Sequence, residues 1–294
     1  MGRLFGQRGW IAMLGLVVLA SCQSFPILNG TAPPESTAKA DKDGGMPGKH
    51  STRVSQFVFY YDFDLPKNNN LFAELSALRE NVYKELQVPE SNTIIQVYLF
   101  EDRAKYETYM KGKYPDLPKR RAFFVSQPKR LGGTDDLLVY TSWGDRVQQD
   151  LRHELTHALL HSALKDVPLW LDEGLAEYFE MPSTWNGVNY QHLEAMRAAT
   201  TKYDLDRLER LSDVQQMTPA EYREAWAWTH LMLRTTPDAK KALLSYLQEL
   251  RTNSRPGPLK PRLERACPNL DDSVRRHLAD LDLGKPRTPA TASN

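Results

Sequence analysis

His153-Glu154-Leu155-Thr156-His157 and Trp170-Leu171-Asp172-Glu173-Gly174-Leu175-Ala176-Glu177-Tyr178 are the two stretches from which this chain is best read. Histidines four apart on a helix lie on one face, one turn above each other. Both imidazoles can then reach one ion at about 2.0–2.1 Å. Glu154 is displaced around the helix from that line, near enough to take a proton from a metal-activated water without ligating the metal. Glu173, on a following helix, supplies a third protein ligand and leaves a fourth position open, which distinguishes catalytic from structural zinc. The spacing needs a helix, and Arg146 to Leu164 provides one: apolar Val147, Leu151, Leu155, Ala158 and Leu159 recur at helical spacing. The bland alternative is a core helix with two hydrogen-bonded histidines and a surface glutamate. Two imidazoles and two carboxylates along apolar helices are costly to bury unpaired, and a metal removes that cost.

The second stretch resembles the W-L-x-E-G-x-A-x-Y segment of the gluzincins, zinc peptidases whose third ligand is a glutamate. Together with Arg152 to His157, Val167-Pro168-Leu169 and Glu173 to Phe179, it is similar to a poorly characterised bacterial peptidase family. The resemblance implies one Zn²⁺ per chain held by His153, His157 and Glu173, with Glu154 as general base. It also implies that Glu177, four residues after Glu173, orients His153 from behind, since such partners fix the imidazole tautomer; a solvated helix residue is the alternative. Asp172 reads as solvent-facing, and Gly174 as a position where a Cβ would crowd the metal helix. The large aminopeptidases of this superfamily carry a G-A-M-E-N stretch that recognises a free amino terminus. This chain has none, and Gly44-Gly45-Met46 is no substitute.

Residues 1–22 read as a lipoprotein signal peptide. Arg3 and Arg8 precede an apolar core from Trp10 to Ala20, too short for the roughly 20 residues of a spanning helix. Leu19-Ala20-Ser21-Cys22 resembles a bacterial lipobox, which implies acylation of Cys22 and anchoring to a bacterial membrane in the cell envelope, facing the periplasm or exterior. An ordinary secretory signal with an incidental cysteine, or an uncleaved anchor, is the alternative. Of two cysteines only Cys267 then remains, so no intramolecular disulfide can form; Cys267 reads as a small packed residue.

Residues 23–53, rich in Pro, Gly, Thr, Ser, Lys and Asp, read as a flexible tether. Residues 54–252 form the main domain. Strands are expected at Gln56–Phe63, Thr93–Phe100, Ala122–Ser126 and Leu137–Thr141, with helices at Leu71–Leu86 and Ala104–Lys111. Helices are expected again at 190–201, 204–212, 218–235, 237–251 and 271–281. Residues 253–283 are a Pro-rich segment and terminal helix, and 284–294 a disordered tail. The fold class is therefore α+β: a small mixed β-sheet packed on the HExxH helix, then a mainly helical C-terminal part, as in zincins.

By the same resemblance, the strand before the metal helix is an edge that pairs with extended substrate, which places Leu138, Val139, Tyr140 and Thr141 against a peptide backbone; an ordinary paired strand is the equal alternative. Lys129 to Gly133 reads as a mobile loop near the cleft mouth. An oxyanion donor is expected from a downstream helix, with Tyr222 and His230 as candidates, although a core aromatic is the stronger prior for each alone. A net charge of +1 gives no reason to invoke nucleic acid, and Lys119-Arg120-Arg121 reads as solvated surface. The function expected is a membrane-anchored zinc peptidase acting on a peptide or protein substrate. The alternatives are a zinc-binding pseudopeptidase serving as an envelope scaffold, and a metal hydrolase of a non-peptide amide. Oligomeric state is not legible in the sequence.

Overall fold

The structure, a computed structural model, describes residues 17–19, 45–66, 70–128, 134–199 and 202–281. Cys22, most of the expected signal peptide and tether, the loop 129–133 and the expected tail 284–294 lie outside the described residues. The architecture is α+β, with a mixed sheet followed by a helical half.

The sheet follows from period-two alternation, because successive strand residues point to opposite faces. Strands β2 (His50–Val54), β3 (Phe57–Tyr61), β4 (Ile95–Phe100), β5 (Ala122–Gln127) and β6 (Asp136–Ser142) stand in the order β5-β6-β4-β3-β2. Phe57, Phe59, Ile95, Val97, Leu99, Phe124, Leu137 and Val139 point into the principal core beneath the helices. Tyr98, Phe100, Phe123, Val125, Leu138 and Tyr140 point to the other face, where Tyr106 and Met110 of α2 (Arg103–Lys113) cover them. Tyr60, Tyr98 and Tyr140 stack in a row across three parallel strands, with centroids 5.2 Å apart at each step.

Two sequence expectations change here. The strand Leu138–Thr141 is not an edge: β6 pairs with β4 on one side, Val97 opposite Val139, and with β5 on the other, Phe124 opposite Val139. Chain order misleads because β5 and β6 form a hairpin whose later strand turns inward, leaving β5 outside. The tether also ends earlier than expected. His50–Val54 pairs with β3, and the N–H groups of Gly48 and Lys49 both donate to Oδ1 of Asp62. Within the expected signal peptide, Val17–Leu19 (β1) forms a short strand antiparallel to β5, Val18 opposite Val125.

The helical half begins with α3 (Val147–Ala163), which lies across the sheet beside α1 (Leu71–Leu86). Next come α4 (Leu169–Phe179), α5 (Tyr190–Ala198), α6 (Leu205–Glu209), α7 (Pro219–Arg234) and α8 (Pro237–Leu250). Thr218 and Thr236 cap α7 and α8, each followed by the proline at the first helical position. The Pro-rich segment contains α9 (Lys260–Ala266), and α10 (Leu270–Asp280) follows as the terminal helix. Leu259, Leu263, Val274 and Leu278 are buried in the principal core, so this segment belongs to the domain. Among the described residues no helix is long and apolar enough to cross a membrane.

Candidate metal centre

The HExxH helix does what its spacing requires. On α3 the Nε2 atoms of His153 and His157 lie 3.2 Å apart, and each lies 3.6 Å from Oε2 of Glu173 on α4. A tetrahedral centre with bonds of about 2.0–2.1 Å has edges of about 3.3 Å, so these three donors form one face of such a tetrahedron. They are buried together, none more than 2% exposed, and Glu154 is fully buried beside them on α3.

The carboxylate of Glu173 tests whether these residues fit a metal. Neither of its oxygens has a hydrogen-bond partner among the described residues, and it is wholly buried. A carboxylate stripped of water without hydrogen bonds is strongly unfavourable, whereas a divalent cation between it and two imidazoles satisfies all three. The residues therefore fit a metal ion, and their N,N,O chemistry suits zinc.

Charge in the cluster agrees. Burial opposes the charged form of both histidines, yet the surrounding carboxylates outweigh it. His153 is raised well above its ordinary value by Glu173 and Glu180, and His157 is raised to about 10 by Asp172 and Glu173. Conversely, burial favours neutral Asp172 and Glu173, but the adjacent imidazoles hold both carboxyls below their usual range. The site carries an excess of negative charge that either protons or a cation neutralise.

Behind the ligands the structure corrects three assignments. Nδ1 of His153 lies 3.0 Å from Oε2 of Glu180, not on Glu177; Glu177 instead meets Nε2 of His192 at 2.9 Å. Glu180 follows α4, and successive turns of α3 hold it there. Gln149 donates to Oε1 at 2.8 Å, and Arg152 donates to the carbonyls of Glu180 and Met181. Asp172, expected at the surface, is 0% exposed and lies 2.9 Å from Nδ1 of His157. Gly174 makes room for α7 rather than for the metal helix: a Cβ there would stand 2.5 Å from the Ala225 carbonyl oxygen and from Thr229 Oγ1.

Of the downstream candidates, His230 makes its described contacts with residues other than the three candidate donors. His230 pairs its Nδ1 with Nε2 of His277 at 2.8 Å, and its ring neighbours are Tyr178, Trp226 and His277. Tyr222 is buried on α7 within the principal core. Cys267 is a buried free thiol, as expected, and Trp226 and Trp228 lie in the principal core. Arg120 is buried rather than solvated, and Arg121 clasps Asp150 of α3 with contacts of 2.7–3.0 Å.

Sequence reading missed Glu180, His161 and His192. His161 had a signal, since it continues the four-residue spacing of His153 and His157; its Nε2 lies 3.3 Å from Oδ2 of Asp172. Phe124 of β5 stacks near His157, 6.3 Å between centroids, and His161, 5.4 Å, which puts the outer strand β5 against the metal helix. No curated protein matches this chain. Residues 149–259 match a family described as a protein of unknown function (DUF1570), a stretch that contains every donor of the candidate centre and every group found behind it on α3, α4 and α5.

Proposed function

We propose that this chain is a zinc-dependent peptidase of the bacterial envelope, with His153, His157 and Glu173 as ligands and Glu154 as general base. The observation that carries the reading is the buried donor triangle, in which the Glu173 carboxylate has no hydrogen-bond partner among the described residues and Glu154 lies on the same helix as both histidines. A bound zinc would supply Lewis acidity and water acidified to a pKa of about 7. Glu154 then accepts the water proton at its carboxylate and returns it to the leaving amine. Asp172 and Glu180 hold the two imidazoles in the tautomer that presents Nε2 to the ion.

The substrate-pairing strand moves from β6 to β5. That strand is outermost apart from the short β1, touches the metal helix through Phe124, and already accepts an extended antiparallel segment along its outer side. Processing at Cys22 would remove Val17–Leu19 and leave this edge open to a peptide backbone. Acylation of Cys22 belongs to the same reading; labelling with a fatty-acid analogue that persists in Cys22→Ala would refute it.

One observation favours a second reading, a zinc-holding pseudopeptidase. The donors are 2% exposed or less, which leaves a substrate little access to them. The separating experiment measures zinc per chain and cleavage of an unfolded protein for the parent, Glu173→Ala and Glu154→Gln. The peptidase reading expects about one zinc in the parent, its loss in Glu173→Ala, and zinc without turnover in Glu154→Gln. No zinc in the parent after loading at neutral pH would sink both readings. Zinc-bound parent without cleavage of any peptide would leave the scaffold.

A further inference from the structure

His161 lies one helical turn beyond His157 on α3, continuing the line that begins at His153. Its Nε2 approaches Oδ2 of Asp172 at 3.3 Å, the same oxygen that Nδ1 of His157 meets at 2.9 Å. The other oxygen, Oδ1, is buried and has no hydrogen-bond partner among the described residues. The hydrogen bonds seen at the Asp172 side chain thus come from two histidines of the metal helix. One donor leaves a carboxylate free to swing about its side-chain torsions; two donors converging on one oxygen from successive turns fix its position. Phe124 backs both rings from β5.

We propose that His161 is a positioning residue for the metal centre, acting through Asp172 on His157. It holds Oδ2 where that oxygen accepts from Nδ1 of His157, which keeps the Nδ1–H tautomer and aims the Nε2 lone pair at the ion. The proposal rests on the metal reading above. His161 is not itself a ligand: its Nε2 is turned to Asp172, and it stands outside the group of donors that can share one ion. Its side chain reaches the surface, 14% exposed, so a change there disturbs little packing.

The test compares the full-length parent with His161→Asn and His161→Gln. Three quantities are read: zinc release to a chromophoric chelator, the visible spectrum of the cobalt(II)-loaded protein, and melting of the metal-free form. An asparagine amide is too short to reach Asp172, whereas the amide nitrogen of glutamine can occupy the place of Nε2. His161→Asn is expected to release zinc about tenfold faster than the parent, with an altered cobalt spectrum and unchanged metal-free melting. His161→Gln is expected to behave like the parent. Parental release from His161→Asn would overturn the proposal, as would equal acceleration in both variants or an equivalent loss of metal-free stability. A parent that takes up no zinc refutes the metal reading and the proposal with it, a result distinct from zinc-loaded variants that match the parent.

Discussion

Oε2 of Glu180 lies 3.0 Å from Nδ1 of His153, and Oε1 of the same carboxylate accepts from Gln149. Glu180 is therefore the partner of His153, while Glu177 meets His192. Glu180→Gln should weaken zinc binding by about tenfold or more, and Glu177→Gln by clearly less. Competition titrations against a chelator measure both; a larger loss in Glu177→Gln would return the role to that residue.

Gly174 lies where α4 packs tightly against α7. In Gly174→Ala the new methyl meets the Ala225 carbonyl and Thr229 Oγ1, so the helices must part. Overpacking of this kind costs about 1–3 kcal/mol. The denaturation midpoint should fall, and zinc content with it, because the neighbouring Glu173 moves with α4. An unchanged midpoint would show that α7 yields without cost.

His157 is raised to about 10 by Asp172 and Glu173 against the opposing effect of burial, and His153 is raised likewise. In the metal-free protein the adjacent carboxylates therefore favour protonated imidazoles at these two positions. The contribution of His157 to metal-free stability is complete below the unfolded value near 6.5 and is lost as pH rises towards 10. Zinc must displace these protons, so binding at pH 7 should release them. Calorimetry in buffers of different ionisation enthalpy counts the release; binding heats independent of buffer would contradict it.

The His230–His277 pair titrates the other way. Burial pushes His230 down to about 3, assisted by the charges of His277 and Arg234; burial also lowers His277 to about 4, against the opposing pull of Asp280. Unfolded chains take up these protons near pH 6.5. The stability from keeping the pair neutral is therefore intact above 6.5 and drains as pH falls towards 4 and 3. Urea midpoints between pH 7 and 4 should fall, and less steeply in His277→Gln. Parallel slopes would exclude the pair as the cause.

The convergence of the candidate donors was legible because a helical period acts locally: four residues separate His153 from His157 whatever surrounds them. Strands were legible for the same reason, through alternation such as Phe57-Val58-Phe59. Sheet order was not, since nothing within Leu138–Thr141 tells whether β5 or β6 turns outward. Glu177 and Glu180 stand three apart, so the periodicity of α4 cannot choose between them. Arg152 decides by anchoring the carbonyls after the helix, a contact 28 and 29 residues away in the chain. Asp172 was misplaced because a charged side chain reads as exposed until its burial partner is known.

From Trp170 to Phe179, every residue of α4 is buried. Most helices have an outer side on which substitutions accumulate harmlessly, and this one has none. Between divergent copies of the chain, neutral change should therefore gather on the outer faces of helices such as α2 and α8. A replacement in α4 would persist only alongside a matching one in α3 or α7, so the segment that brings the third donor would change in pairs or not at all.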